Sequence, residues 1–258
     1  MIKVENLSKE FNLSRAQQKE LDTDSKIALA VDDISFTCQP GRVFSLLGPN
    51  GAGKTTTMRM LSTIFKPTSG TIEIAGIDAV LNPQEARKKI GFLTGSTGLY
   101  ARLTPNELVK YFADLYSVSS SDFKARKEKL FDLLDMNEFQ NKRIGKLSTG
   151  MKQKVSICRT MIHDPEVIVF DEPTSGLDVI TAENIISLIR DCKNTGKTVI
   201  FSSHIMSEVD LLCDDMAIVH KGKLLFNGTM DSFRENQQSS SLTGEFIRII
   251  NESNSQLA

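Results

Sequence analysis

The sequence has little that would tie it to a metal cage, a disulfide framework, nucleic acid or the interior of a bilayer. Its four cysteines, Cys38, Cys158, Cys192 and Cys213, lie far apart and form no CxxC pair. That spacing disfavours a zinc site and disulfide staples alike, and reads as buried thiols in a reducing compartment. Charge of one sign is also missing. The 31 basic and 32 acidic residues leave a formal net charge of −1, so no global field argues for nucleic acid or an anionic membrane surface. No apolar run approaches the roughly 20 residues that span a bilayer, and no basic-then-apolar leader opens the chain. A membrane process would therefore be served from outside the bilayer. The 258 residues suffice to bury a substantial core, as one large domain or two modest ones.

What the sequence does contain is the run Leu46-Leu47-Gly48-Pro49-Asn50-Gly51-Ala52-Gly53-Lys54-Thr55-Thr56. It matches the phosphate-loop pattern G-x-x-x-x-G-K-[ST] at every fixed position. Gly48, Gly51 and Gly53 let the backbone turn its N–H groups inward. The next helix aims its positive end at the same spot, and Lys54 adds a full charge between phosphates. The Thr55 hydroxyl suits Mg²⁺. Residues 48–56 are thus the expected nucleotide cradle, preceded by a buried strand over residues 42–47 and followed by a helix with Met58, Leu61 and Phe65 inward. The competing reading is a Gly-rich turn without ligand.

Taken in order, residues 1–10 alternate apolar and polar and predict an edge strand running into Phe11. Residues 12–26 are polar and read as an exposed loop or short surface helix. Strand alternation resumes over residues 28–39 and ends at the turn Pro40-Gly41, and another short strand covers residues 71–76. Helical periodicity then prevails for about seventy residues, by the spacing of apolar positions. Thr104-Pro105-Asn106-Glu107 has the form of a capping box, with Leu108, Phe112 and Leu115 as the inward stripe of its helix. Residues 122–135 form a second amphipathic segment with Leu130, Leu133 and Leu134 inward. Residues 167–170 and 198–201 are continuous apolar runs, expected of strands covered on both faces. A helix carrying Ala182, Ile185, Ile186 and Ile189 joins them, giving a βαβ crossover and a mostly parallel sheet. A hairpin is expected around Lys221-Gly222, then a polar linker, a short helix with Leu242, Phe246 and Ile249, and a disordered tail from Ser253.

Val167-Ile168-Val169-Phe170-Asp171-Glu172 supplies what a phosphate loop still needs. Asp171 at the strand end is the candidate Mg²⁺ partner with Thr55, and Glu172 the candidate general base. A mere helix-capping turn is the alternative. Leu147-Ser148-Thr149-Gly150-Met151-Lys152-Gln153 adds a second anion-binding candidate, because Ser148 can cap a helix whose first N–H groups stay free. These motifs, with Ser175-Gly176-Leu177-Asp178 and Ser202-Ser203-His204, stand in the order found in ATP-binding cassette (ABC) ATPases, which the chain resembles over nearly its whole length.

The resemblance implies an α/β P-loop ATPase core with a mostly parallel sheet, a small antiparallel β subdomain and a helical subdomain inserted at about residues 96–164. The ATPase domain would cover residues 1–235, with the linker, helix and tail in residues 236–258. It implies ATP and Mg²⁺ as cofactors and a head-to-tail pair of cassettes, in which Ser148 and Gly150 meet the γ-phosphate held by the second subunit and Asp178 lies across the seam. His204 would hold the γ-phosphate and orient water, while His163 and His220 read as structural. Phe11 matches the adenine-stacking aromatic, against the plainer reading of a strand-end core residue.

Two departures stand out. Thr149 and Met151 replace a signature glycine and glutamine, and Gly95 stands where the family has a glutamine, with Ser96 beside it as a possible replacement. The implied activity is ATP hydrolysis driving transport through a separate polytopic membrane permease, at the cytoplasmic face of the membrane and without nucleic acid. Residues 95–100, the signature variant and the tail resemble exporter cassettes of the sodium-extrusion type. A soluble ABC protein acting on ribosomes or DNA, and a P-loop kinase, are the rival classes. The former carries two cassettes or a coiled-coil insertion, and the latter lacks the signature and His204 stretches.

Overall fold

The computed structural model describes residues 1–20, 22–94 and 98–256. Two sheets carry the fold. The first strands are β1 (Ile2–Asn12) and β2 (Ile27–Cys38), separated by the six-residue helix α1 (Arg15–Glu20), which buries no side chain and is thus a surface insertion. Next come β3 (Val43–Leu47), α2 (Lys54–Leu61), β4 (Ser69–Ile74), β5 (Ile77–Asp78), α3 (Pro83–Lys89) and β6 (Ile90–Thr94). The helices α4 (Pro105–Leu115), α5 (Ser120–Leu133) and α6 (Thr149–Met161) follow. The chain then alternates through β7 (Val167–Asp171), α7 (Val179–Asn194), β8 (Thr198–Ser203) and α8 (Met206–Leu212). It ends with β9 (Asp215–His220), β10 (Lys223–Thr229), α9 (Met230–Glu235) and α10 (Leu242–Gln256).

The antiparallel sheet has the order β2-β1-β4-β5 and the larger one β10-β9-β3-β8-β7-β6. All neighbours from β9 to β6 pair parallel, and only β10 runs antiparallel. Strand alternation divides the interior between the two faces of this sheet. Phe44, Leu46, Val167, Val169 and Ile200 face the antiparallel sheet and α2, where they pack with Ile2, Val4, Leu7, Phe36 and Met58. Val43, Leu47, Ile168, Phe170 and Phe201 face the helices on the other side. Leu108, Val109, Phe131 and Ile144 belong to that same second core, so the α4–α6 segment shares its packing with the sheet.

Three expectations change. The strand at the N-terminus is not an edge: β1 pairs with β2 on one side and β4 on the other, so its alternation reports one buried face and not an open border. Bulges near Asn6, whose φ is 50°, let it serve both neighbours. Second, the capping box at Thr104 forms as expected, but Leu115 is 63% exposed and the stripe is completed by Val109 and Ala113. Third, the C-terminal helix is 15 residues long and continues through Ser253 to Gln256, where a disordered tail was expected. Buried Glu245 anchors its start, accepting from the Gln238 and Ser239 amides and from the Arg248 guanidinium. The Arg248 bond and the two amide bonds push its carboxyl pKa down to about 2 against the opposing effect of burial. These polar anchors carry no hydrophobic period, which is why a pattern of apolar residues under-reads the helix.

The α4 correction is testable. Leu108→Ala should cost about 2–5 kcal/mol by opening a cavity in the core, whereas Leu115→Ala should stay within about 0.5 kcal/mol. Urea unfolding of the two variants checks the contrast, and equal losses would put Leu115 back in the core.

Candidate functional site

The loop between β3 and α2 is clamped from several sides, and this explains two of its glycines. A Cβ at Gly48 would lie 2.2 Å from the Val219 carbonyl oxygen. One at Gly53, whose φ is +107°, would lie 2.5 Å from that of Ala30. The backbone hydrogen bonds agree: Gly48 N–H donates to Ser203 O at 3.2 Å, and Gly222 N–H donates to Ala52 O at 2.9 Å. The β9–β10 turn therefore presses directly on the loop. Lys54 opens α2 with its side chain 4% exposed, donating to the Gly48 and Pro49 carbonyls at 2.7 and 3.1 Å. Burial pushes its pKa down, and the nearby Glu172 and Asp171 carboxylates oppose the shift.

The acid pair ends β7, as its apolar run predicts. Asp171 is buried and accepts from Thr55 Oγ1 at 3.1 Å and Ser202 Oγ at 2.7 Å. Ser202 lies opposite Asp171 in the β7–β8 register, and its hydroxyl oxygen also accepts from Glu172 N–H at 3.0 Å. Glu172 has a φ of +48°, a left-handed conformation that a side chain with a Cβ adopts at a cost of roughly 1 kcal/mol or more. Its Oε1 lies 3.2 Å from His204 Nδ1 and 3.7 Å from Lys54 Nζ. Glu172, His204 and Lys54 thus converge on one point, with Thr55 and Asp171 beside them.

Other predicted residues sit elsewhere. Ser148 caps α6 by accepting from Met151 N–H at 3.2 Å. Asp178 caps α7, accepting from Thr181 N–H and Oγ1 at 2.9 Å each, and these bonds lower its pKa. A Cβ at Gly150 would approach Thr181 Oγ1 to 3.1 Å and Asp178 Oδ2 to 3.4 Å, so the two caps are neighbours. Among the described residues no hydrogen bond joins Ser148, Gly150 or Asp178 to the phosphate loop. Phe11 is half-buried, edge-on to Phe65 with ring centroids 5.5 Å apart, and the Lys9 ammonium lies 5.1 Å from its ring. Gly95 and Ser96 lie outside the described residues. His163 stacks on Tyr116 at 3.9 Å with its pKa pushed down to about 4 by burial, and His220 meets Asn254 Oδ1 at 2.9 Å. Both suit structural roles.

The structure gives roles to three residues that the sequence did not assign, although Ser202 and Gln153 lie in stretches it marked. Ser202 links the two strands at the acid pair. Glu208 of α8 accepts from Thr174 Oγ1 at 2.6 Å and Ser203 Oγ at 2.8 Å, tying together the loops after β7 and β8. Gln153 of α6 lines a cavity of about 490 Å³ together with Thr55, Asp171 and Glu172. Ser202 was legible from the parallel register alone, had the two strands been aligned end to end. Gln153 ends the marked stretch Leu147–Gln153 without a role of its own, and Glu208 had no signal short of the packed structure.

The donor set fits a nucleotide with a hard cation. Thr55 and Asp171 offer only oxygens, the ligands Mg²⁺ takes. Among the described residues no group of three or more His, Cys, Asp or Glu side chains is arranged to hold a metal, so a cation here would depend on phosphate oxygens for further ligands. Comparison with known proteins then decides the family, because the ABC transporter family model matches residues 31–175. The chain belongs to the ABC transporter family.

It is 43% identical over 223 residues to the ABC transporter ATP-binding protein NatA of Bacillus subtilis, covering 86% of this chain and 91% of that one. It is 39% identical over 197 residues to the bacitracin transport ATP-binding protein BcrA of Bacillus licheniformis, covering 76% of this chain and 63% of that one. Among solved structures, an ATP-binding subunit of an ABC transporter superposes with a TM-score of 0.84 at 26% identity, over 96% of this chain and 99% of that one. A dimeric cassette in a post-hydrolysis state, bound to ADP and Pi, gives a TM-score of 0.77 at 25% identity, over 89% and 99% of the two chains. Cassettes of this family are ATPases, and the P-loop kinase reading falls away.

The clamp on the loop predicts a graded response. Gly48→Ala should cost about 3 kcal/mol, since its methyl group would meet backbone, whereas Gly51→Ala, at a φ of +78° with open space around it, should cost about 1–2 kcal/mol. Urea unfolding measures both, and a harmless Gly48→Ala would show that β9 does not brace the loop.

Proposed function

We propose that this ABC ATPase energises export through a separate membrane permease, working as a head-to-tail pair of cassettes at the cytoplasmic face of the membrane. The observation that carries the proposal is the convergence of Glu172, His204 and Lys54 beside Thr55 and Asp171, on a family match that runs through the phosphate loop and the acid pair. Among the described residues no helix is long and apolar enough to cross a membrane, and in this reading the pore belongs to the permease. The names of several relatives carry bacitracin transport or Nod factor export, which favours export over the ribosome or DNA reading. Its cargo would be sodium, as in the exporter type the sequence resembles, or a small toxic compound.

In this reading residues 48–56 wrap the phosphates with backbone N–H groups and Lys54 neutralises them. Glu172 takes one proton from the attacking water. The water oxygen bonds to the γ-phosphorus, the bond to the ADP oxygen breaks, and phosphate leaves. His204, next to Glu172, faces the same γ-phosphate. A Mg²⁺ ion held near Thr55 and Asp171 would supply charge to offset that on the phosphate oxygens. Phe11 would take the adenine.

Ser148, Gly150 and Asp178 would complete the partner cassette's site, and the exposed aliphatics Val179 and Ile180 beside Asp178 suit burial against a second copy.

Glu172→Gln is expected to bind Mg-ATP with parent affinity, to lose turnover by roughly 100-fold or more and to accumulate as an ATP-bound dimer. Lys54→Ala should not bind ATP at all. Titration calorimetry, a phosphate-release assay and light scattering read these outcomes. A Glu172→Gln protein with full turnover would move the base elsewhere, and purification with no polytopic membrane protein attached would count against the transport role.

A further inference from the structure

Resting on the ATPase reading above, we propose that Gln153 is a further residue of the hydrolytic site, whose side-chain oxygen holds the attacking water by its second proton. Its amide Nε2 donates to the Pro173 carbonyl oxygen at 3.2 Å. A carbonyl only accepts, so that contact fixes which end of the amide is nitrogen and leaves Oε1 as the free acceptor. Among the described residues no donor bonds to Oε1. Pro173 directly follows Glu172, and one hydrogen bond therefore ties Gln153 to the backbone that carries the candidate base.

The cavity gives this acceptor something to do. Gln153 lines the same space of about 490 Å³ as Thr55, Asp171 and Glu172. A water poised to attack phosphorus keeps two O–H groups that need acceptors. Glu172 can remove one proton, and a neutral amide oxygen is suited to hold the other, since it accepts without competing for the proton. The water oxygen then has its lone pair turned toward phosphorus while the Glu172 carboxylate gains a proton and ADP departs as before.

Rigidity supports the assignment. Gln153 stands one residue before the buried stretch from Lys154 to Met161, of which Val155, Ile157, Cys158 and Met161 pack in the second core, so the helix that carries it is held there. A side chain that is half-buried, tethered at one end and mounted on a packed helix keeps its other end in place.

The test uses the full-length protein with Mg-ATP and two variants. Gln153→Met keeps the size of the side chain and removes both polar ends, whereas Gln153→Glu keeps an acceptor and loses the donor to Pro173. Gln153→Met should lower kcat by about 10- to 100-fold while leaving the ATP dissociation constant and the melting temperature near parent values. Gln153→Glu should recover part of kcat. A kcat within twofold of the parent for Gln153→Met would overturn the proposal. So would a fall in ATP affinity and melting temperature matching the fall in kcat, or no recovery by Gln153→Glu, because a structural tie to Pro173 would do either. A parent protein that binds no ATP and releases no phosphate would overturn the ATPase reading and this inference with it.

Discussion

The buried Asp171 carboxylate is the point on which the site is assembled. It accepts one hydroxyl from α2 and one from β8 while itself ending β7, so three elements meet at a single side chain. A buried carboxylate is costly unless its oxygens are satisfied, and here Thr55 and Ser202 satisfy one of them. Ser202 extends the connection by accepting from the Glu172 amide, which holds that residue in a left-handed conformation. The direction of the Glu172 side chain, and with it the contact to His204, follows from this small network. Parallel register is what brings Ser202 opposite Asp171, so the chemistry depends on the pairing of two strands that are far apart in sequence.

Much of this was legible in the residues themselves. Gly48 to Thr55 and Val167 to Glu172 are local patterns, in which composition and geometry are set within a few positions, and the structure brings their side chains together. The buried strands were legible because residues on both faces of β7 and β8 are apolar. The failures share one cause, which is that periodicity reports burial and not what lies alongside. It could not distinguish β1, paired on two sides, from an edge strand. It assigned Leu115 to the α4 core, although the helix ends there and Leu115 is exposed while Ala113 of the same turn is buried. It undervalued α10, whose beginning is held by a carboxylate, two backbone amides and an arginine.

The residues whose roles only the structure gives follow the same logic. Glu208 and Gln153 are polar side chains on helices remote in sequence from the Asp171-Glu172 pair. Glu208 bridges the loops after β7 and β8, and Gln153 meets the backbone next to Glu172. Nothing in the spacing of α8 marks Glu208, and the stretch Leu147–Gln153 marks the start of α6 without assigning Gln153 a contact. Phe11 is the converse: a resemblance implies a role for it, but its ring packs edge-on to Phe65 and is in register with Ala28, a placement that a strand-end core residue would also have.

The turn at Lys221-Gly222 has a practical consequence for engineering. Tight hairpin turns at a surface ordinarily accept added residues, and so are natural places for an epitope or a fluorescent fusion. Here Gly222 gives its amide to Ala52 and its carbonyl to the Asp32 amide, while the Val219 carbonyl fills the space beside Gly48. Added length at this turn would disturb two backbone contacts to the nucleotide loop and one to β2 at once. The segment between β1 and β2 offers a better port of entry, because its helix α1 buries nothing and can be lengthened without disturbing either core.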